Sequence, residues 1–119
     1  MMSDEPSFAN TVILITREGM GSAEAALRHK LLDTYLNLLL KNGTLPGAIC
    51  FYTEGVKLVV EGSPHLEVLS QLEKRGVRLI SCSTCLNYYS LTEKVLLGVV
   101  GGMADILEAQ IRAEKVISL

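Results

Sequence analysis

Apolar residues in this chain come in short unbroken runs, separated by polar or glycine-rich breaks at spacings that fit alternating strands and helices. The first run, Thr11-Val12-Ile13-Leu14-Ile15, is β-branched and is bounded downstream by Glu18-Gly19-Met20-Gly21, which predicts a buried strand. Ser22 is positioned to cap a helix running from Ala23 to about Lys41, and Asn42-Gly43 stops it with Pro46 just beyond. Residues 47–52 predict a second strand, followed by a turn at Thr53-Glu54-Gly55 and a short apolar piece over 56–60. Ser63-Pro64 opens another helix, with the cap at Ser63 and proline at the first helical position. Leu66, Leu69 and Leu72 form its inner stripe and Gly76 ends it. Residues 77–81 predict a third strand, at whose end stand Cys82-Ser83-Thr84-Cys85 and then a short helical segment. A fourth strand over 95–100, a turn at Gly101-Gly102, a helix over 104–113 and a fifth strand over 115–119 complete the pattern.

Strands that are continuous apolar runs, alternating with helices, predict an α/β fold. The expected architecture is a single-domain, mainly parallel five-stranded sheet with helices on both faces. The domain is expected over residues 10–119, behind a flexible N-terminal tail of residues 1–9. In such sheets ligands and reactive groups gather at the carboxyl ends of the strands. Four turns are expected there, over 16–21, 53–57, 81–85 and 101–103. The first long helix carries Leu27, Leu31, Leu32, Tyr35, Leu36, Leu38, Leu39 and Leu40, more than one apolar stripe. A helix lying only on a sheet needs a stripe of roughly 100°, so the surplus predicts a homo-oligomer.

Composition narrows the picture. A chain of 119 residues fits one domain. Apolar residues make up 49%, with no Trp, so the core must be aliphatic. A net charge of −2 without a dense Lys/Arg cluster speaks against nucleic acid as a partner. The apolar runs are too short to cross a bilayer, and the polar, acidic opening at residues 1–6 is unlike a secretory signal. Three cysteines do not build a disulfide framework. A reducing cytoplasm is therefore the expected compartment, with the thiols free.

The cysteine pair is the main candidate for chemistry. A thiol at the end of a strand and the start of a helix meets backbone N–H groups and a helix dipole that favour thiolate. Sulfur transfer, thiol–disulfide redox chemistry, metal binding and inert packing all remain open to such a pair. Cys82 and Cys85 are the candidate catalytic residues. Ser81, Ser83, Thr84 and backbone N–H groups are candidate donors to the anion. Gly21, Glu54, Gly55, Lys57, Gly101 and Gly102 are expected to line the pocket, with Lys57 favouring thiolate and Gly55 allowing close approach. No cofactor is called for. One CxxC supplies two of the four ligands of a closed zinc site, and Cys50, His29 and His65 are not at ligand spacing, so no metal is expected. Cys50, inside an apolar strand, reads as core filling. His65 reads as a surface residue and His29 is equally unremarkable. Tyr88 and Tyr89 read as packing residues. Gly19-Met20-Gly21-Ser22 lacks the full phosphate-binding pattern and reads as a tight turn with a helix cap.

Phe51-Tyr52-Thr53-Glu54-Gly55-Val56, then Cys82-Ser83-Thr84-Cys85-Leu86, Gly101-Gly102 and the closing Glu114-Lys115-Val116-Ile117 together resemble the DsrE/DsrF-like sulfur-transfer domains. The resemblance is strongest to the DsrE-like half of the YedF-type selenium-metabolism proteins. It implies a small α/β domain that assembles into oligomers and carries sulfane sulfur as a cysteine persulfide, at Cys82, with Cys85 as an auxiliary thiol. It further implies a sulfur-donor or acceptor partner such as a separate TusA-like carrier. The function expected from all this is a sulfurtransferase or persulfide carrier. A thiol–disulfide redox protein and a non-catalytic oligomeric binding module are the alternatives.

Overall fold

Four of the five apolar runs lie side by side in one sheet with the fifth, and every pairing is parallel. The computed structural model describes residues 8–119. In chain order the elements are β1 (Thr11–Ile15), α1 (Ala25–Asn42), β2 (Ala48–Phe51), a 3-10 segment (Thr53–Val59), α2 (Leu66–Lys74), β3 (Arg78–Cys82), α3 (Ser83–Tyr88), a short 3-10 turn (Thr92–Lys94), β4 (Val99–Gly101), α4 (Met103–Arg112) and β5 (Lys115–Ser118). The strand order is β4-β3-β2-β1-β5. The expected α/β fold with a parallel five-stranded sheet is the fold observed.

Given this order, crossover handedness decides the face each helix takes. Steps from β1 to β2, β3 and β4 all move one way, so right-handed crossovers place α1, α2 and α3 on one face. The return from β4 to β5 runs back across the sheet, which puts α4 on the other face. α1 packs against α2, and α4 against β3 and β4. β1 and β2 are buried along their whole length, as two-sided cover requires. Leu32, Leu36 and Leu39 of α1, Leu69 and Leu72 of α2 and Ile106 of α4 close the core over them.

Several boundaries differ from the sequence reading, each for a local reason. α1 begins at Ala25 behind Glu24, and no side chain caps it, so Ser22 is not its cap. Ser63 caps no first turn directly: its hydroxyl accepts the His65 N–H at 3.1 Å, and α2 starts after His65. The piece expected over 56–60 coils as a 3-10 segment. Val60 alone then bridges Val95, which leaves Val95 outside β4. Gly98 turns the chain at φ +74° before Val99. β3 runs one residue further than expected and includes Cys82. The expected tail of residues 1–9 lies almost wholly outside the described residues.

Two apolar faces stay uncovered on the single chain. Leu27, Leu31 and Leu38 stand out from α1, and Met103, Leu107 and Ile111 from α4 beside Val99 and Val100 of β4. Among the described residues, no helix is long and apolar enough to cross a membrane.

Candidate functional site

β3 and β4 are adjacent and in register, with Cys82 paired to Gly101. From their carboxyl ends the chain departs to opposite faces, into α3 and into α4. Neighbouring parallel strands whose exits diverge leave a crevice at the sheet edge, the usual place for a ligand in open α/β sheets. Gly102 caps α4 there, its N–H donating to Asp105 Oδ2 at 2.8 Å, and a side chain on Gly101 would crowd that carboxylate. The expected Gly101-Gly102 turn and the cysteine turn are thus brought together.

Cys82 is the last residue of β3 and the residue before α3, and only 2% of it is exposed. Its side chain caps no N–H of α3. Cys85 lies one turn on, half-buried, with its Sγ beside the Cys82 thiol. The Thr53 main-chain N–H donates to Cys85 Sγ at 3.1 Å. Burial pushes the Cys85 thiol above its ordinary pKa, the neighbouring Cys82 pushes the same way, and the Thr53 N–H pulls against both. The thiolate expected from a helix start therefore meets opposition at Cys85, from burial first and then from the neighbouring Cys82.

The other expected donors are elsewhere. Alternation along β3 turns the Ser81 side chain to the face opposite Cys82, where its hydroxyl is buried without a partner. Among the described residues, neither Ser83 nor Thr84 bonds a sulfur through its hydroxyl. Lys57 Nζ lies 4.5 Å from the centre of the Tyr89 ring and 3.9 Å from Glu18, and its charge is not among the influences on Cys85. Lys57 lines a cavity whose wall includes no cysteine, and it is occupied by these two neighbours.

The turn after β2 organises the site. Thr53 has the left-handed φ of +50°, unusual for a threonine, and its hydroxyl donates to the carbonyl of Thr16 after β1. Gly55 is needed because a Cβ there would sit 2.0 Å from the Ile15 carbonyl oxygen. Two cavities flank this turn. The larger, about 580 Å³, is lined by Glu18, His29, Lys57, Leu58, Ser63 and Tyr89 among others. The second, about 490 Å³, is lined by Thr16, Arg17, Ser22, Ala23, Arg28, Thr53 and Glu54. Glu54 lines this second cavity, whose wall includes no cysteine, while Gly21 contributes its carbonyl, which accepts from the Arg17 guanidinium at 2.8 Å.

Sequence reasoning missed Thr53, Arg17 and Arg28. The position of Arg17 in the turn that follows β1 was a usable signal; Thr53 and Arg28 gave none, since their contacts, with Cys85 and with Glu18, form only in the fold. It also misread His65, which is 2% exposed rather than on the surface. Its Nε2 lies 2.9 Å from His29 Nδ1, the rings are stacked, and its own Nδ1 is buried without a partner. Burial first, and then His29, lower the His65 pKa, with Asp33 acting in the opposite sense. Cys50 is core filling as expected: it is fully buried, and burial pushes its thiol up to about 11. Tyr88 is 82% exposed and meets the half-buried Tyr89 edge to face, with ring centres 5.2 Å apart. Among the described residues, no three His, Cys, Asp or Glu side chains converge as a metal site.

Comparison with known proteins bears on this arrangement. The profile of the DsrE/DsrF-like family matches residues 11–119. Among curated proteins a sequence search finds no significant match. Solved structures similar in fold include MTH1491 from Methanobacterium thermoautotrophicum, a protein of unknown function, at TM-score 0.68 and 22% identity over 92% of this chain and 97% of that one. The ychN protein from E. coli superposes at TM-score 0.66 with 17% identity, covering 92% and 98% of the two chains. BT1422 from Bacteroides thetaiotaomicron, also of unknown function, superposes at TM-score 0.66 with 18% identity, covering 97% and 100%. The family match spans nearly all of the chain, including both cysteines, and the chain belongs to the DsrE/DsrF-like family.

Proposed function

We propose that this chain is a sulfur-relay protein that accepts sulfane sulfur as a cysteine persulfide and passes it to a partner. The observation that carries the reading is the pairing of two free thiols at the carboxyl end of β3, one of them held by the Thr53 N–H from the turn after β2. Sulfane transfer asks for little more: a thiolate attacks the outer sulfur of a persulfide and a second thiolate leaves, with no separate base or cofactor. Cys85 is the first acceptor in this reading because it is the reachable thiol, and Cys82 is the inner thiol behind it. Family membership supports sulfur relay as the general role. Their contact also favours a second reading, a thiol–disulfide couple, since a Cys82 attack on a Cys85 persulfide would release sulfide and leave a disulfide.

The reading includes a cytoplasmic location, where the thiols stay reduced, a carrier protein of TusA type as donor or acceptor, and self-association through the uncovered apolar faces of α1 and α4. Incubation with a persulfide donor followed by peptide mass spectrometry tests it. Sulfur added on the peptide holding Cys82 and Cys85 supports relay, and an unmodified peptide refutes it.

A further inference from the structure

The cavity of about 490 Å³ beside Thr53 has a charge that neither the fold nor the relay step uses. Arg17 and Arg28 line it against one carboxylate, Glu54. Among the described residues the ion pairs are Lys57–Glu18 and Arg112–Glu108, so neither arginine is neutralised by a carboxylate. Both guanidiniums are instead held by main-chain carbonyls, Arg17 by Gly21 at 2.8 Å and Arg28 by Ala23 and Glu18. Held this way, each keeps N–H donors for an incoming anion at little ordering cost, since guanidinium offers five in a fixed fork. The volume lies in the range of about 300–1,000 Å³ that accommodates small organic molecules. Thr53 is common to the cavity wall and to the hydrogen bond on Cys85 Sγ, so this one residue links the cavity to the acceptor thiol, which is not itself in the wall.

We infer that this cavity takes the carboxylate of a small thiol persulfide, making carboxylated low-molecular-weight persulfides the sulfur donors to Cys85. The inference rests on the relay reading and specifies its substrate. In the step, the Cys85 thiolate attacks the outer sulfur of R–S–SH. A new Sγ–S bond forms while the R–S to outer-sulfur bond breaks, the outer sulfur keeps its proton, and the electron pair leaves on R–S⁻. No oxidant or reductant is consumed.

The test compares N-acetylcysteine persulfide with the persulfide of its neutral amide, at low donor concentration, following sulfur on Cys85 by mass spectrometry. The wild-type chain is expected to load about tenfold faster from the acid, the scale of one charge-assisted guanidinium–carboxylate contact. In Arg17→Gln, and independently in Arg28→Gln, the acid-to-amide ratio falls toward one. Equal wild-type rates from both donors, or variants that slow both donors alike, overturn the inference and leave relay standing. If the wild type loads from neither donor, relay itself fails, and calorimetry with unreactive S-methyl-N-acetylcysteine and its amide decides the cavity. Preferential binding of the acid that is lost in Arg17→Gln supports it; no binding, or equal binding of the two, overturns it.

Discussion

The Thr53 main-chain N–H lies 3.1 Å from Cys85 Sγ, a hydrogen bond that joins the turn after β2 to the cysteine turn after β3. Through its hydroxyl, Thr53 also reaches the Thr16 carbonyl after β1. Three carboxyl-terminal turns are therefore tied together around one sulfur.

The balance of influences on Cys85 sets its pH behaviour. Burial and the neighbouring Cys82 raise its pKa and the Thr53 N–H offsets only part of this. Its alkylation rate should keep rising above the pH at which an ordinary thiol levels off. Replacing Cys82 with Ala removes one of the raising influences, so the midpoint should move down. Lys57→Met should leave it in place, because Lys57 is engaged by Glu18 and Tyr89. Rates of iodoacetamide labelling against pH check all three, and a midpoint that rises in Lys57→Met would reinstate Lys57 as a thiolate stabiliser.

Gly55 marks the tightest approach in the site. A methyl group there would meet the Ile15 carbonyl at 2.0 Å, a main-chain atom with no rotamer to adjust. Gly55→Ala should cost about 3 kcal/mol of stability, at the upper end of overpacking effects, and should loosen Thr53 from Cys85. Gly62→Ala, at φ +87° but with open space around it, should cost only about 1 kcal/mol. Urea denaturation of the two variants distinguishes steric from conformational loss.

His65 should make the fold acid-sensitive. Its pKa is depressed in the folded chain, so below about pH 6.5 the unfolded chain binds more protons than the folded one. The stability that depends on neutral His65 is therefore complete above that pH and is lost as the pH falls. His29 and Asp33 are the charges that act on it, in opposite directions. His65→Leu should flatten this part of the stability–pH curve, measured by denaturation between pH 5 and 7. An unchanged slope would assign the acid sensitivity to other groups.

The self-association proposed above should depend on α4, and a wild-type chain that is monomeric by light scattering would refute it. Ile111 is 72% exposed and Leu107 54%, far outside the usual state of such side chains. A double change of Leu107 and Ile111 to Glu should reduce the light-scattering mass to that of one 12.9 kDa chain without unfolding it. An oligomer of unchanged mass would move the contact to another face, with Leu27, Leu31 and Leu38 of α1 the next to test.

The central strands were legible because β1 and β2 are runs of apolar residues with cover on both sides. β1 lies where Thr11–Ile15 predicted it, to the residue, whereas the short, exposed β4 starts four residues later than the apolar run suggested. What escaped depends on contacts between turns far apart in the chain. His65 follows a proline and looks like a surface residue until α1 lays His29 over it. The resemblance pointed to Cys82 as the persulfide carrier with Cys85 auxiliary. Strand extension instead buries Cys82 and leaves Cys85 the more accessible thiol, which is why the two roles are reversed in the proposal. Thr53 looks like any turn residue, and its importance comes from a backbone N–H that no residue type advertises.

Persulfide loading of the full chain, mapped by peptide mass spectrometry in the wild type and in Cys82→Ser and Cys85→Ser, tests the central claim most directly. The account predicts one added sulfur on the Cys82–Cys85 peptide of the wild type, retained in Cys82→Ser and lost in Cys85→Ser. A wild-type peptide that gains no sulfur on either cysteine would contradict it.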